Sequence, residues 1–446
     1  MQTNFTPEQL ADPDIKVANE ILRACVHCGF CTATCPTYVL RGDELDSPRG
    51  RIYQIKDMLE ADRPAPAVVV KHIDRCLSCL SCMTTCPSGV HYMHLVDLGR
   101  AHIEKTYRRP VGERLLRSML ALLLPRPFLF RIALIGALLG RPFARLMPGR
   151  LRAMMTLAPR RLAGPSPVDR PQVVPAPGAR RGRVALMTGC AQKVLNPAIN
   201  EATVRLLTRH GIEVVIPRGQ GCCGALVHHM GRTGEAHGQA AANIESWMRE
   251  KRRNGLDAII INTSGCGTQV KDYGFMFRED KALAEDAQTV SSIARDITEY
   301  MAEIGLNDSV RPGAFPVAYH SACSMQHGQK ITGQPRTLLT QAGFEVREIA
   351  EGHLCCGSAG TYNIMQPELA TRLRDRKIRN IEATGAPVIA AGNIGCMAQI
   401  AGGTGRPVVH TVELLDWATG GPLPPVLHGH DLGPVAALGV STMAAG

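Results

Sequence analysis

The sequence predicts a multidomain α+β chain: a helical, cysteine-rich amino-terminal domain followed by two related α/β half-domains. Three observations carry that expectation. A four-cysteine motif occurs twice without alteration, at Cys25–Cys35 and again at Cys76–Cys86. A basic, proline-punctuated stretch comes next. The carboxy-terminal half then repeats one layout, in which apolar runs alternate with helix-like stretches around an adjacent cysteine pair and a glycine. At 446 residues the chain is too long for one ordinary core. Domains are expected at 1–105, 106–183, 184–310 and 311–446.

The composition is that of a globular protein, 45% hydrophobic, and its unusual features are sixteen cysteines and a net charge of +11. A secreted disulfide scaffold is a poor reading of those cysteines. The opening residues, MQTNFTPEQLADPDIKVANE, are polar and have no apolar segment or small-residue cleavage site. The chain is also far larger than the small domains that need disulfide staples. Reduced thiols in the cytoplasm are expected. No membrane span is expected either, because the cleanest apolar runs, Met119–Leu124 and Ile132–Gly140, fall far short of the roughly 20 residues a bilayer needs.

The first element is built on Cys25, Cys28, Cys31 and Cys35, which read C-x2-C-x2-C-x3-C with Pro36 following. Cys76, Cys79, Cys82 and Cys86 repeat the pattern, with Pro87 next. This is the arrangement of bacterial two-cluster ferredoxins, in which the fourth cysteine of each run ligates the other cluster. Two 4Fe-4S clusters are therefore expected. One would sit on Cys25, Cys28, Cys31 and Cys86, the other on Cys76, Cys79, Cys82 and Cys35. Each proline fixes φ and removes an N–H, which ends the cysteine loop. Gly29 is expected to let backbone approach the sulfurs. Zinc also binds Cys-x-x-Cys pairs, but it does not account for two four-cysteine runs that both end in Cys-Pro.

Forty residues separate Cys35 from Cys76. Within them Ile52, Ile55 and Leu59 recur at helical spacing, with Ser47 as N-cap and Pro48 at the first helical position. A helical connection of this kind is similar to the helical ferredoxin domain of succinate dehydrogenase iron–sulfur subunits. Arg49 and Arg51 read as a solvated helix face, with contact to an anionic cluster as the alternative.

The middle segment, 101–181, holds sixteen Lys or Arg against three acidic residues, so its +13 exceeds the charge of the whole chain. Apolar residues such as Leu116, Leu120, Phe128, Ile132 and Ile135 lie between the arginines. Such a segment can lie on anionic lipid, dock an acidic partner or pack on its own domains. It has no interleaved polar aromatics and no DNA- or RNA-binding motif, so nucleic acid is not expected. Residues 159–183 read as a proline-rich linker.

The last elements are the two copies of the repeat. Apolar runs at Val184–Met187 and Val317–His320 lead to Cys190 and Cys323. Strand-like segments at 211–216 and 343–349 lead to Cys222-Cys223-Gly224 and Cys355-Cys356-Gly357, 32 positions after the first cysteine in both copies. Final apolar runs, Ala258–Ile261 and Val388–Ala391, lead to Cys266 and Cys396. Each copy thus offers four thiols on loops after strands, enough for one further metal centre or for dithiol redox work. Buried inert thiols are the alternative. His320, His353 and the His228-His229 pair read as hydrogen-bonded structural residues, with a proton donor near a redox site as the alternative for His320 and His353. His320 has no counterpart in the first copy, where Met187 stands.

A two-cluster ferredoxin domain followed by two Cys-Cys-Gly repeats resembles the heterodisulfide reductase-like family. Its members serve glycolate oxidase, anaerobic glycerol-3-phosphate dehydrogenase and lactate-utilisation complexes. The glycolate oxidase iron–sulfur branch is the nearest in Cys25–Tyr38, Asp46–Tyr53, His353–Tyr362 and Asn393–Cys396. The resemblance implies an electron-transfer subunit with no catalytic residue of its own. FAD would sit on partner subunits that oxidise glycolate to glyoxylate, and electrons would pass through this chain to a quinone-type acceptor. It also implies a complex held peripherally on the inner face of the cell membrane. No Gly-x-Gly-x-x-Gly follows a strand, which agrees with a flavin held elsewhere. A lactate or glycerol-3-phosphate system, or a catalytic heterodisulfide reductase-like subunit, is the alternative. In heterodisulfide reductase members the repeat closes on Cys-x-x-Cys, whereas Thr263 and Asn393 occupy the first of those positions here. A further cluster in the repeats would lack that fifth thiolate.

Overall fold

The computed structural model describes residues 1–432 except 148, 160, 308, 311–314 and 431. The tail of the expected second repeat, 433–446, lies outside the described residues. In the amino-terminal domain, helices Pro13–Ala24, Pro48–Glu60, Ala67–Asp74 and Tyr92–Thr106 close on one core. Leu22, Ile55, Ile73, Leu95 and Ile103 are its fully buried centre. The helix expected between the two motifs forms as the sequence predicts. Ser47 Oγ accepts the Gly50 N–H at 2.9 Å, Pro48 opens the first turn, and Ile52, Ile55 and Leu59 face inward.

Two connector helices, Val111–Leu123 and Pro127–Gly140, run from that domain onto the repeats. Their inner face is divided. Leu120 and Ala121 join the core of the first repeat, while Phe130 and Leu134 pack on Val194. The other face remains outside. Phe128 and Leu139 are each 74% exposed, and Ile132, Ile135, Phe143 and Leu146 are exposed beside them. No helix among the described residues is long and apolar enough to cross a membrane.

The first repeat forms a sheet of β1 (Gln172–Val174), β2 (Gly182–Met187), β3 (Ile212–Ile216), β4 (Ala258–Ile261) and β5 (Ala294–Asp296), in the order β1-β3-β2-β4-β5. The second is β6 (Pro316–His320), β7 (Glu345–Arg347), β8 (Val388–Ala391) and β9 (Val408–His410), in the order β7-β6-β8-β9. All pairings are parallel except β1 on β3. Strands such as Ala258–Ile261 and Val388–Ala391 are buried along their whole length, as parallel strands covered on both faces must be. Two features depart from the sequence reading. Residues 172–174, inside the expected linker, supply the antiparallel edge strand β1. β5 and β9 extend each sheet by a strand that is too short to carry a period-2 signal.

The repeats pack directly on each other. Asp416, 1% exposed, receives Arg205 and Arg209 across the interface at 2.8 and 2.9 Å. His410 Nε2 lies 2.9 Å from the Asn262 carbonyl. The carboxyl ends of β2, β4, β6 and β8 consequently open towards one shared space.

Candidate functional site

The two amino-terminal cysteine loops share one backbone shape. His27 and Ser78 have φ of 57° and 48°, and Gly29 and Leu80 have φ of 85° and 63°. Left-handed residues on either side of a cysteine turn backbone N–H groups towards one point, which favours a bound anionic group. Glycine is therefore not required by φ alone, since Leu80 adopts the same region. At Gly29 a Cβ would fall 2.7 Å from Arg49 Nη1, so the close approach is to that side chain.

These loops gather the sulfurs into two nests. Cys25, Cys28, Cys31 and Cys86 line one hollow, bordered by Cys82. Cys35, Cys76, Cys79 and Cys82 line the other. The fourth cysteine of each run thus stands with the other run's first three. Hydrogen bonds support the second nest from outside: Tyr92 Oη donates to Cys76 Sγ at 3.7 Å, and Thr37 Oγ1 lies 3.2 Å from Cys35 Sγ. All sixteen cysteines are free thiols. Burial pushes the Cys31 thiol up to about 11, with Cys25, Cys35 and Cys86 adding to it, and raises Cys79 and Cys82 well above their usual range. Crowded, desolvated thiols become stable thiolates when a metal neutralises them. A compact all-sulfur donor set fits an iron–sulfur cluster.

Arg51 corrects the expectation of a solvated helix face. It is 1% exposed and reaches from its helix into the second nest, with Nη1 3.8 Å from Cys35 Sγ. Its Nε donates to the His72 carbonyl at 2.8 Å and its Nη2 to Thr37 Oγ1 at 3.0 Å. Arg49 remains partly exposed and pairs with Glu44 at 2.7 Å. Asp46, fully buried, balances the charge. Arg41 and Arg75 lie 2.9 Å from its carboxylate, His72 Nδ1 lies at 2.8 Å and Arg51 at 3.4 Å.

The repeats bring their thiols together in matching fashion. Cys190 and Cys222 Sγ are 3.5 Å apart, and Cys323 and Cys355 Sγ are 3.7 Å apart. Cys223 and Cys266 meet at 3.3 Å, and Cys356 interacts with Cys396. The glycine after each cysteine pair has a steric cause. Gly224 and Gly357 both have φ of 87°, and a Cβ would meet the Ala236 or Ala370 carbonyl at 2.9 or 2.5 Å. The loop must press against the next helix to aim both sulfurs at the cavity. Asn393, where a fifth cysteine was missing, donates Nδ2 to Cys396 Sγ at 3.3 Å. Thr263 instead donates to Gln192 at 2.5 Å.

All eight repeat cysteines line one cavity of about 690 Å³, which Cys76 of the second nest also borders. Leu120, Leu124, Phe130, Leu134 and Met154 of the connector cover it. Cys79 and Leu77 pack with Cys355 and Tyr362, and Cys323 borders the same cluster. Thr84 Oγ1 to His327 Nδ1 at 2.7 Å and His94 to Asp272 at 2.8 Å fix the amino-terminal domain against the repeats. His229 also lines the cavity, its Nδ1 held 3.2 Å from the buried Asp97 carboxylate. Burial opposes ionisation of Asp97, but the imidazoles of His229 and His228 and the Arg100 guanidinium together lower its pKa. The structural reading of His229 therefore holds, in a position the sequence did not signal.

His320 departs from expectation. It is 2% exposed, and its Nε2 has no hydrogen-bond partner. Burial, with Lys377 adding to it, pulls its pKa down to about 3, so the ring is neutral.

Residues 21–90 match the family described as a 4Fe-4S dicluster domain, and residues 184–271 and 317–401 each match the cysteine-rich domain family. The chain is 41% identical to the glycolate oxidase iron-sulfur subunit of Escherichia coli, over 94% of its own length and 99% of that protein. It is 31% identical to a probable glycolate oxidase iron-sulfur subunit of Bacillus subtilis, over 89% and 94%. Lactate utilization protein A of Bacillus subtilis is 27% identical but corresponds to 52% of this chain.

Proposed function

The chain belongs to the family of glycolate oxidase iron–sulfur subunits, and from that membership we propose that it is the electron-transfer subunit of a glycolate-oxidising complex. Electrons enter from FAD-bearing partner subunits and leave for a quinone-type acceptor. In this reading residues 1–105 hold two 4Fe-4S clusters on the two nests, and 106–183 form the docking connector. Residues 184–310 and 311–446 form the exit site, with further iron–sulfur chemistry on their thiols.

One observation carries the proposal: the thiol nests form a continuous series from surface to cavity. Cys28 is exposed, and Val26, Phe30 and Tyr53 around it are 67%, 63% and 60% exposed, an apolar face for a flavoprotein. The second nest is buried behind the first, and its Cys79 packs with Cys355 at the cavity. The test is iron and acid-labile sulfide counting on anaerobically prepared chain, followed by assembly with the flavoprotein subunits. About eight irons per chain are expected from the two nests, with more if the repeats are loaded, and glycolate should bleach the cluster absorbance. Stoichiometric zinc without sulfide would exclude the reading.

The connector's outer face supports peripheral attachment to an anionic membrane. Its exposed Phe128, Ile132, Ile135, Leu139 and Phe143 are accompanied by exposed Arg114 and Arg126, and the helix Pro127–Gly140 contains no acidic residue. Apolar insertion and arginine–phospholipid attraction add on such a face. The chain should sediment with anionic vesicles. Phe128→Glu together with Leu139→Glu should weaken this about tenfold or more, since both residues give up apolar insertion. Unchanged sedimentation would remove the membrane from the proposal.

A further inference from the structure

We propose that His320 supplies a nitrogen ligand to a metal centre of the second repeat, completing a set with Cys356 and Cys396 where the fifth thiolate is missing. The inference rests on the reading that the repeat thiols hold iron–sulfur chemistry, and it names a ligand that the cysteine pattern does not contain.

Three features meet at this residue. An imidazole nitrogen of His320 and the sulfurs of Cys356 and Cys396 all lie within 4.8 Å of one another. The three residues are buried, at 2%, 1% and 3% exposed. His320 Nε2 is also an orphan, buried without a hydrogen-bond partner. A buried polar group left unpaired is costly, and native folds almost always give such a group a partner. A metal ion bound through Nε2 and the two thiolates would supply it, because borderline nitrogen and soft sulfur donors suit iron alike.

The fold explains how the ring arrives there. His320 is the last residue of β6 and pairs in register with Ala391 at the end of β8. Ala391 leads through Asn393 into the helix Ile394–Ala401, which carries Cys396. Strand pairing therefore sets the imidazole beside the turn that delivers that thiol. In the first repeat Met187 ends β2 and pairs with Ile261 before Cys266. The same position there is a buried thioether, so the first site is all sulfur and the second is mixed. Replacing a thiolate by neutral imidazole removes one negative charge from a centre and raises its reduction potential. The repeat that packs against Cys79 would thus be the better electron sink of the two.

The test uses full-length chain with its metals, prepared anaerobically and labelled with 15N-histidine. Pulsed paramagnetic resonance of the wild type should detect a histidine nitrogen coupled to a centre beyond the two amino-terminal clusters. His320→Cys should keep the iron and lose that coupling. His320→Ala should lose both the coupling and the extra iron. If the wild type carries iron beyond about eight per chain without histidine coupling, or if the coupling survives in His320→Cys, the inference fails while the repeat-cluster reading stands. If iron stops at that number, or zinc fills the site, both fail. The wild-type measurement decides the question even if a variant does not fold.

Discussion

Cys355→Ser should abolish acceptor reduction by the assembled complex while both amino-terminal clusters keep their spectra. Cys355 occupies the junction of the series. It is 2% exposed, touches Cys323 at 3.7 Å and packs with Cys79 and Leu77 of the second nest. Serine keeps the shape but replaces a soft thiolate with a poor ligand for iron. Electrons arriving at the second nest would then have no loaded neighbour at the thiols that pack with Cys79. The measurement pairs two acceptors on one preparation. A dye that takes electrons from the flavoprotein subunits should still be reduced with glycolate, whereas reduction of a quinone should fall to background. Quinone reduction at the wild-type rate would mean that electrons leave before the cavity. Cys222→Ser, in the repeat whose thiols do not pack with Cys79, should have the smaller effect.

Asp46→Ala should destabilise the amino-terminal domain by about 3–5 kcal/mol, the range for removing one partner of a buried ion pair. The carboxylate is fully buried and faces Arg41, Arg51, Arg75 and His72. Its loss would leave the Arg51 guanidinium, 1% exposed, without its counter-ion beside Cys35. The nest containing Cys35, Cys76, Cys79 and Cys82 should lose iron first, because Arg51 ties Thr37 and the His72 carbonyl to it. Cluster absorbance followed against temperature measures this directly, since metal loss makes unfolding other than two-state. Asp57→Ala is the control. Its pair with Arg63 is more than half exposed on both sides, so the change should be within about 0.5 kcal/mol.

Much of this protein is legible in its sequence where chemistry depends on short spacing. Three cysteines at x2 intervals have few ways to arrange their sulfurs, and Ser47-Pro48 before Ile52, Ile55 and Leu59 announces a helix start by local rules. The same holds for the repeats: Val184, Ile212 and Ala258 mark strands that their counterparts Val317, Glu345 and Val388 confirm by position. The edge strand β1 was hidden in a proline-rich stretch, because a three-residue strand paired antiparallel to β3 has almost no sequence pattern of its own. Arg51 was misread for a related reason. A charged residue on an amphipathic helix belongs on the wet face unless a buried counter-ion waits, and Asp46 could not be seen to wait there.

The repeated four-cysteine runs, the two Cys-Cys-Gly units and the absence of a dinucleotide fingerprint were determined by the sequence itself. Each is a matter of residue type over a short stretch of chain, which covalent geometry makes almost independent of context. Only the tertiary structure decided that Cys79 and Cys355 are neighbours, that eight thiols share one cavity under the connector, and that His320 joins Cys356 and Cys396. Those meetings join residues tens to hundreds of positions apart. They depend on which buried faces pack together, a balance of many small burial terms that no single motif encodes.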